Sequence, residues 1–468
     1  MARNISQYEN ARPSILLIST AATLGVSIAY GRWFVLIPLL ALPLVLLWPV
    51  QMSLGMFGFL LPFDSISVLQ ERDTGTTLTF LIGAVSSVIL LTIGIVARRL
   101  QRPPRAALWW GLLVLWSGTT LLWAFDPEAT WARLPTVVAC FLFYLVAVSF
   151  RITREELAAV LLLAMLGGIV AAGYACWTFM ETNGIDRATL ALGDRTTNPN
   201  TFAAVLLLPL SLALGTFISS RGWFKALVMI SAVALLSLAI LLSMSRGDVI
   251  AAGVLLVVYI YRYGLRRRML VVVSVVTLLL YVMPALFFAR IETGMSSRAE
   301  GRFDIWQVGV TAFQHYGAFG AGLNNFPAVY NQFSGHAERF RGYFRDPHNI
   351  YLGVSVELGI LGLLLFLMAV GSHFRALQRF YAAFQGVRPP MVVACEAACW
   401  AMLTAGLSGN FVWNKVFWIM WVYLTLAIRV ADRETLSTCT CDRHPFTALM
   451  PTEQSFGDKH RSSKRTTF

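Results

Sequence analysis

Uninterrupted apolar stretches, one after another, constrain this chain more than any other feature. A helix needs about 20 apolar residues to cross the hydrocarbon core of a bilayer. Segments of roughly that length fall at 14–31, 33–50, 77–97, 107–125, 132–149, 156–180, 198–218, 223–244, 247–263, 269–288, 348–371, 391–411 and 415–430. A shorter apolar piece, Met52 to Pro62, follows the second. Strands of a transmembrane barrel alternate polar and apolar residues, and these segments run solidly apolar, so a barrel is excluded. Charged residues are 13% of the 468 and apolar ones 57%, against about 25% and 45–50% in soluble domains. That excludes a soluble fold as well. The chain reads as an all-α integral membrane protein with about 12 transmembrane helices.

Lys and Arg in the short loops set the orientation. Arg98, Arg99, Arg102 and Arg105 form one cluster and Arg151 with Arg154 another. Arg221 with Lys225, then Arg262, Arg266, Arg267 and Arg268, then Arg375 with Arg379 complete the set. Counting helices, every cluster lands on one face, which is the cytoplasmic one. Keeping Arg3 and Arg12 on that face requires an odd number of crossings before Thr77. Polar residues fill the first dozen positions, so the first helix reads as an uncleaved anchor. The organisation expected is a helix bundle over 1–288, a loop over 289–347, further spans over 348–430, and a disordered cytoplasmic tail over 431–468. Cys140, Cys176, Cys395 and Cys399 sit inside apolar stretches, and the Cys439–Cys441 pair in the tail lacks further ligands at metal spacing. They read as ordinary thiols.

The opposite face carries the informative loops. One covers about 181–197, a very short one contains Ser245-Arg246-Gly247, and the largest runs from about Arg290 to Pro347. The last is aromatic-rich, which argues against disorder. Within it Phe303, Trp306, Val310 and Phe313 recur at helical spacing, predicting an amphipathic helix over Arg302 to Tyr316 at the bilayer surface. Positive charge should be scarce on this face, yet Arg187, Arg195, Arg246, Arg290, Arg298, Arg302, Arg339, Arg341 and Arg345 all lie there. Guanidinium grips phosphate in a bidentate way and keeps its charge. Because the chain has only four Lys, the side on which these arginines sit is more telling than their type. Arg246 stands between two apolar segments, where a charge is costly unless it faces a polar cavity or a partner. Snorkelling to headgroups or pairing with Asp248 is the plainer alternative.

Asp346-Pro347-His348-Asn349 precedes the apolar run from Ile350. Asp is a favoured N-cap and Pro a favoured first helical residue, so His348 is expected in the first turn. There the helix dipole disfavours imidazolium and leaves a base able to accept a proton. His315 and His336 are weaker candidates in the same loop. Gly320-Ala-Gly-Leu-Asn-Asn-Phe326 is a glycine-rich turn without the features of a nucleotide loop.

Taken in order, four elements resemble the O-antigen ligase and polymerase family of bacterial envelope glycosyltransferases. They are Ser245-Arg246-Gly247 opening a span, Arg302-x-x-x-Trp306, Gly320-x-Gly322-x-x-Asn325-Phe326, and His348-Asn349 followed by nine residues and Gly359-Ile-Leu-Gly362. The resemblance implies a GT-C-like enzyme of the bacterial inner membrane with a periplasmic site. Its donor would be a glycan on undecaprenyl pyrophosphate and its acceptor a sugar hydroxyl of lipid A–core. It implies inversion at the anomeric carbon without metal or other cofactor, and no nucleic-acid partner. Arg246, with Arg195 and one or both of Arg298 and Arg302, would bind the pyrophosphate and stabilise the leaving charge. His348 would take the acceptor proton. Asn349, Asn325 and Arg345 would complete the substrate-binding set. An O-antigen polymerase, a protein O-oligosaccharyltransferase and a transporter of lipid-linked glycans are the alternatives.

Overall fold

A computed structural model describes residues 47–67, 77–182, 187–192, 195–282, 301–384, 386 and 388–441. The first expected spans with Arg3 and Arg12, then Asp194, Arg290 and Arg298, and the tail from 442 lie outside the described residues. Among the described residues the fold is all-helical apart from one two-stranded hairpin. A short helix α1 (Met56–Leu60) is flanked by a π turn and a 3-10 turn (Leu61–Ile66). It is followed by α2 (Leu78–Val96), α3 (Arg105–Thr119), α4 (Pro127–Ser149) and α5 (Arg154–Glu181). The hairpin of β1 (Ala191–Leu192) and β2 (Arg195–Thr196) precedes α6 (Pro199–Ser219), α7 (Trp223–Leu242), α8 (Arg246–Tyr263) and α9 (Arg267–Val282). The large loop contributes α10 (Arg302–Tyr316) and α11 (Phe326–Phe333), and α12 (Ile350–Ala383), α13 (Pro390–Ala405) and α14 (Lys415–Cys441) close the chain. Among the described residues, α2, α4, α5, α6, α7 and α12 are long and apolar enough to cross a membrane, and α13 is a shorter apolar helix.

Local signals start these helices where the sequence puts them. Asp126 caps α4 by accepting from the Glu128 and Ala129 amides at 3.0 and 3.1 Å. A Thr153–Glu156 capping box opens α5, and Asn198 with Pro199 opens α6. Each satisfies backbone donors that a helix start leaves orphaned. The faces are those of a membrane protein. α2 turns Leu81, Val85, Val88 and Ile95 outward while Thr79, Gly83, Ser86 and Gly94 are buried. Large apolar side chains cost nothing against lipid tails, and small residues let helices approach closely. At the centre, α13 packs against α8, α6 and α14, and α3 packs against α12.

Two expectations change here. The α10 span is as expected, but its buried face is Asp304, Ile305, Val308, Gly309 and Ala312, with Phe303 52% and Val310 50% exposed. The stripe that packs inward is the one facing α11 and α12, where Ile305, Val308, Ala312, Phe326, Val329, Tyr330 and Val356 form a second apolar core. The last helix also continues through Cys441, so residues 431–441 are helical rather than part of an unstructured tail.

α12 is broken at Gly359 (φ 69°, ψ −171°). This backbone region is essentially open to glycine alone. The break lets the Gly317–Gly322 segment hydrogen-bond to the helix: Ala321 N donates to Val356 O at 2.9 Å, Gly322 N to Glu357 O at 2.9 Å, and Ile360 N to Gly317 O at 2.8 Å. A Cβ at 359 would lie 2.7 Å from the Ala318 carbonyl oxygen, and one at Gly320 2.2 Å from the Glu357 carbonyl oxygen. The two glycine motifs of the sequence are therefore two sides of one backbone seam.

Candidate active site

Three helix starts meet at one end of the bundle. At α12 the N-cap is Asn349, whose Oδ1 accepts from the Tyr351 and Leu352 amides at 2.9 and 3.0 Å. The helix thus begins at Ile350, later than the Asp346-Pro347 signal suggests, and His348 precedes the cap instead of sitting in the first turn. His348 holds a left-handed backbone (φ 46°), a conformation costing a non-glycine residue about 1–3 kcal/mol. Its surroundings fix it on both sides. Trp306 Nε1 donates to the Pro347 carbonyl at 3.1 Å, and Ile350 N donates to Gly406 O at 2.8 Å.

The start of α8 repeats the device. Met244 is left-handed (φ 54°), Ser245 and Asp248 are buried, and Ser245 Oγ donates to Asp248 Oδ2 at 2.5 Å. Arg246 is the first helical residue and half-buried. Gly247 lies so close to the α13–α14 turn that a Cβ there would fall 1.8 Å from Ser408 Oγ. Asn349 Nδ2 donates to Leu407 O on that same turn at 3.4 Å. The Gly406–Ser408 turn therefore brings the entrances of α8 and α12 together.

The third start is α10, where Gly301 (φ 83°) precedes Arg302. Buried Asp304, one turn in, accepts from Arg341 Nε at 2.6 Å. This ion pair draws the 339–345 segment over the site. A cavity of about 480 Å³ results, lined by Asn200, Arg302, Ile305, Phe340, Arg341, Arg345 and His348. Arg187 joins its wall to α7, donating to Asn200 Oδ1 and Ser243 O at 2.6 Å each. Arg302 and Arg187 also act electrostatically on Asp248, which ties the cavity to the start of α8. Such a hollow, with three guanidinium groups and one imidazole, suits an anionic ligand beside a proton acceptor.

The residues singled out from the sequence separate accordingly. His348, Arg302 and Arg345 share the cavity, Arg246 stands at the adjoining helix start, and Asn349 is the helix cap behind His348. Arg195 is in the hairpin, packed beside the Leu61–Ile66 turn, and does not line the cavity. Asn325 is fully buried. Its Oδ1 accepts from Asp126 N at 2.5 Å, and its Nδ2 reaches Thr130 Oγ1 at 2.8 Å and Leu323 O at 2.9 Å, so it pins the glycine-rich turn to α4 and stands away from the cavity. Arg341 and Asn200 were not singled out as binding residues. The first is brought in by an ion pair 37 positions away in the chain, and the second by its place in the first turn of α6, where Arg187 reaches it. Among the described residues, no three His, Cys, Asp or Glu side chains gather as a metal site.

Fold and site together define a class: an all-helical, multi-pass membrane protein that gathers arginines and a histidine where three helices begin. Residues 231–367 match the family model described as O-antigen ligase. That stretch, which holds α8, α10, α11, His348 and the Gly359 seam, is similar to the O-antigen ligase family over less than half of the chain and supports a ligase- or polymerase-type glycosyltransferase role. No curated protein matches the chain.

Proposed function

We propose that this protein is an O-antigen ligase that moves a polysaccharide from undecaprenyl pyrophosphate to a sugar hydroxyl of lipid A–core. It acts at the periplasmic face of the inner membrane, in a chain of about 12 spans. The acceptor oxygen attacks the anomeric carbon as its proton passes to His348. The bond from that carbon to the pyrophosphate oxygen breaks, configuration inverts, and undecaprenyl pyrophosphate departs with one added negative charge. Arg302, with Arg345, Arg341 and Arg246, offsets that charge with permanent cations and directed donors. Arg195 contacts the carrier farther from the reacting atoms, Arg298 joins the pyrophosphate-binding arginines, and Asn349 holds His348 in place. No metal is required.

The observation that carries this reading is the shared cavity of His348, Arg302, Arg341 and Arg345. The test combines purified protein, undecaprenyl-pyrophosphate glycan and lipid A–core without nucleotide or added metal. His348→Ala should cut turnover by about 100-fold or more while donor binding persists. Unchanged turnover removes His348 as the base, and loss of transfer in EDTA removes the arginine mechanism. Glycan joined to glycan instead of lipid A–core would make the protein a polymerase.

A further inference from the structure

A second basic cavity lies at the other end of the bundle. It measures about 570 Å³, and its walls include Arg105, Arg375, Arg379 and Arg429 together with Trp109 and Ile428. Arg375 and Arg379 are 25 and 29 residues beyond Ile350 on α12. Beyond the Gly359 break the helix runs on from Ile360, and at 1.5 Å per residue Arg375 and Arg379 lie about 22 and 28 Å along it, away from the His348 end. Three other arginines at this end are paired with carboxylates. Arg99 forks onto Glu156 at 2.9 and 2.5 Å, Arg262 onto Glu396, and Arg154 pairs with Glu434 at 3.4 Å. Arg105, Arg375 and Arg379 have no such carboxylate among the described residues, and Arg429 donates only to the carbonyls of Val148 and Arg102. No Asp or Glu lines the cavity.

Orienting a membrane helix needs cations in its loops, but it does not need four of them around one hollow. Their convergence asks for a counter-charge. The wall supplies the rest of the description: exposed Leu108, with Trp109 and Ile428, offers an apolar flank beside the guanidinium groups. A soluble anion has no use for that flank. An anionic phospholipid places phosphate among the arginines and its chains along Leu108, the arrangement by which basic pockets between transmembrane helices hold lipid headgroups. We propose that this cavity is a binding site for the phosphate of an anionic phospholipid in the adjacent leaflet, separate from the site that contains His348.

The test uses the full chain reconstituted in nanodiscs of phosphatidylcholine with a minor fraction of phosphatidylglycerol, then released for native mass spectrometry. The wild type should retain phosphatidylglycerol over phosphatidylcholine by about tenfold, and the Arg375→Gln/Arg379→Gln variant should bring the ratio near one. Both side chains are exposed, so the variant should match the wild type in size-exclusion profile and melting temperature. If it does not fold, Arg105→Gln, at the exposed first residue of α3, must lower the ratio about threefold. Equal retention by folded variant and wild type overturns the proposal. So does displacement of phosphatidylglycerol by inorganic phosphate at millimolar concentration, which would mark the cavity as a site for free phosphate.

Discussion

Trp306→Phe isolates the contact between α10 and the peptide that presents His348. The indole N–H donates to the Pro347 carbonyl at 3.1 Å, immediately before a residue held left-handed at φ 46°. Phenylalanine keeps most of the ring and removes the donor. A neutral hydrogen bond contributes about 0.5–1.5 kcal/mol, and a part-buried carbonyl left without its partner adds about 1 kcal/mol or more to the loss. The left-handed backbone costs a similar amount, about 1–3 kcal/mol, so losing the bond is enough to let His348 relax. A loss of about 1–2 kcal/mol at the reacting geometry corresponds to a fall in kcat of about 5- to 30-fold. The assay is glycan transfer at saturating donor, with KM measured separately and the same substitution made in His348→Ala. Trp306→Phe should lower kcat with little change in KM, and it should cost almost nothing further once His348 is gone. A kcat within twofold of wild type, or an equal loss in the His348→Ala background, would refute the idea that Trp306 acts by positioning His348.

Asn325→Ala should destabilise the protein by about 2–4 kcal/mol, because it removes several buried hydrogen bonds at once. It should leave donor affinity of the folded fraction unchanged. Thermal melting in detergent and a donor-binding isotherm check this, and weakened donor binding without a lower melting temperature would return Asn325 to the substrate. Gly359→Ala should prevent stable folding, since strain and the backbone clash together exceed about 3 kcal/mol. Gly371→Ala on the same helix, where a Cβ meets nothing within 4 Å, should be neutral or stabilising. Yield of folded protein from membranes distinguishes the pair.

What the sequence made legible was mostly periodic or local. Apolar runs placed the long helices among the described residues, and Arg302 to Tyr316 was bounded correctly as a helix. The inward face of α10 was not legible, because it is chosen by Val356 and Tyr330 across the loop and the exposed Phe303 and Val310 follow the same period. The start of α12 was ambiguous, since Asp346 and Asn349 are both good caps and only the anchoring of Ile350 N on Gly406 O decides between them. Arg341 gives no local signal at all; its place depends on Asp304, far away in the chain.

The break at Gly359 also redraws where this protein can be cut and rejoined. The nine residues from Ile350 to Leu358 lie on the outer-loop side of that break and share its apolar core through Val356, although they continue the helix that descends through the bundle. A swap of substrate preference between relatives that transplanted only the loop up to Pro347 would sever that core and leave the histidine on a foreign support. The natural cassette runs from Gly301 through Leu358, with its hinge at the glycine.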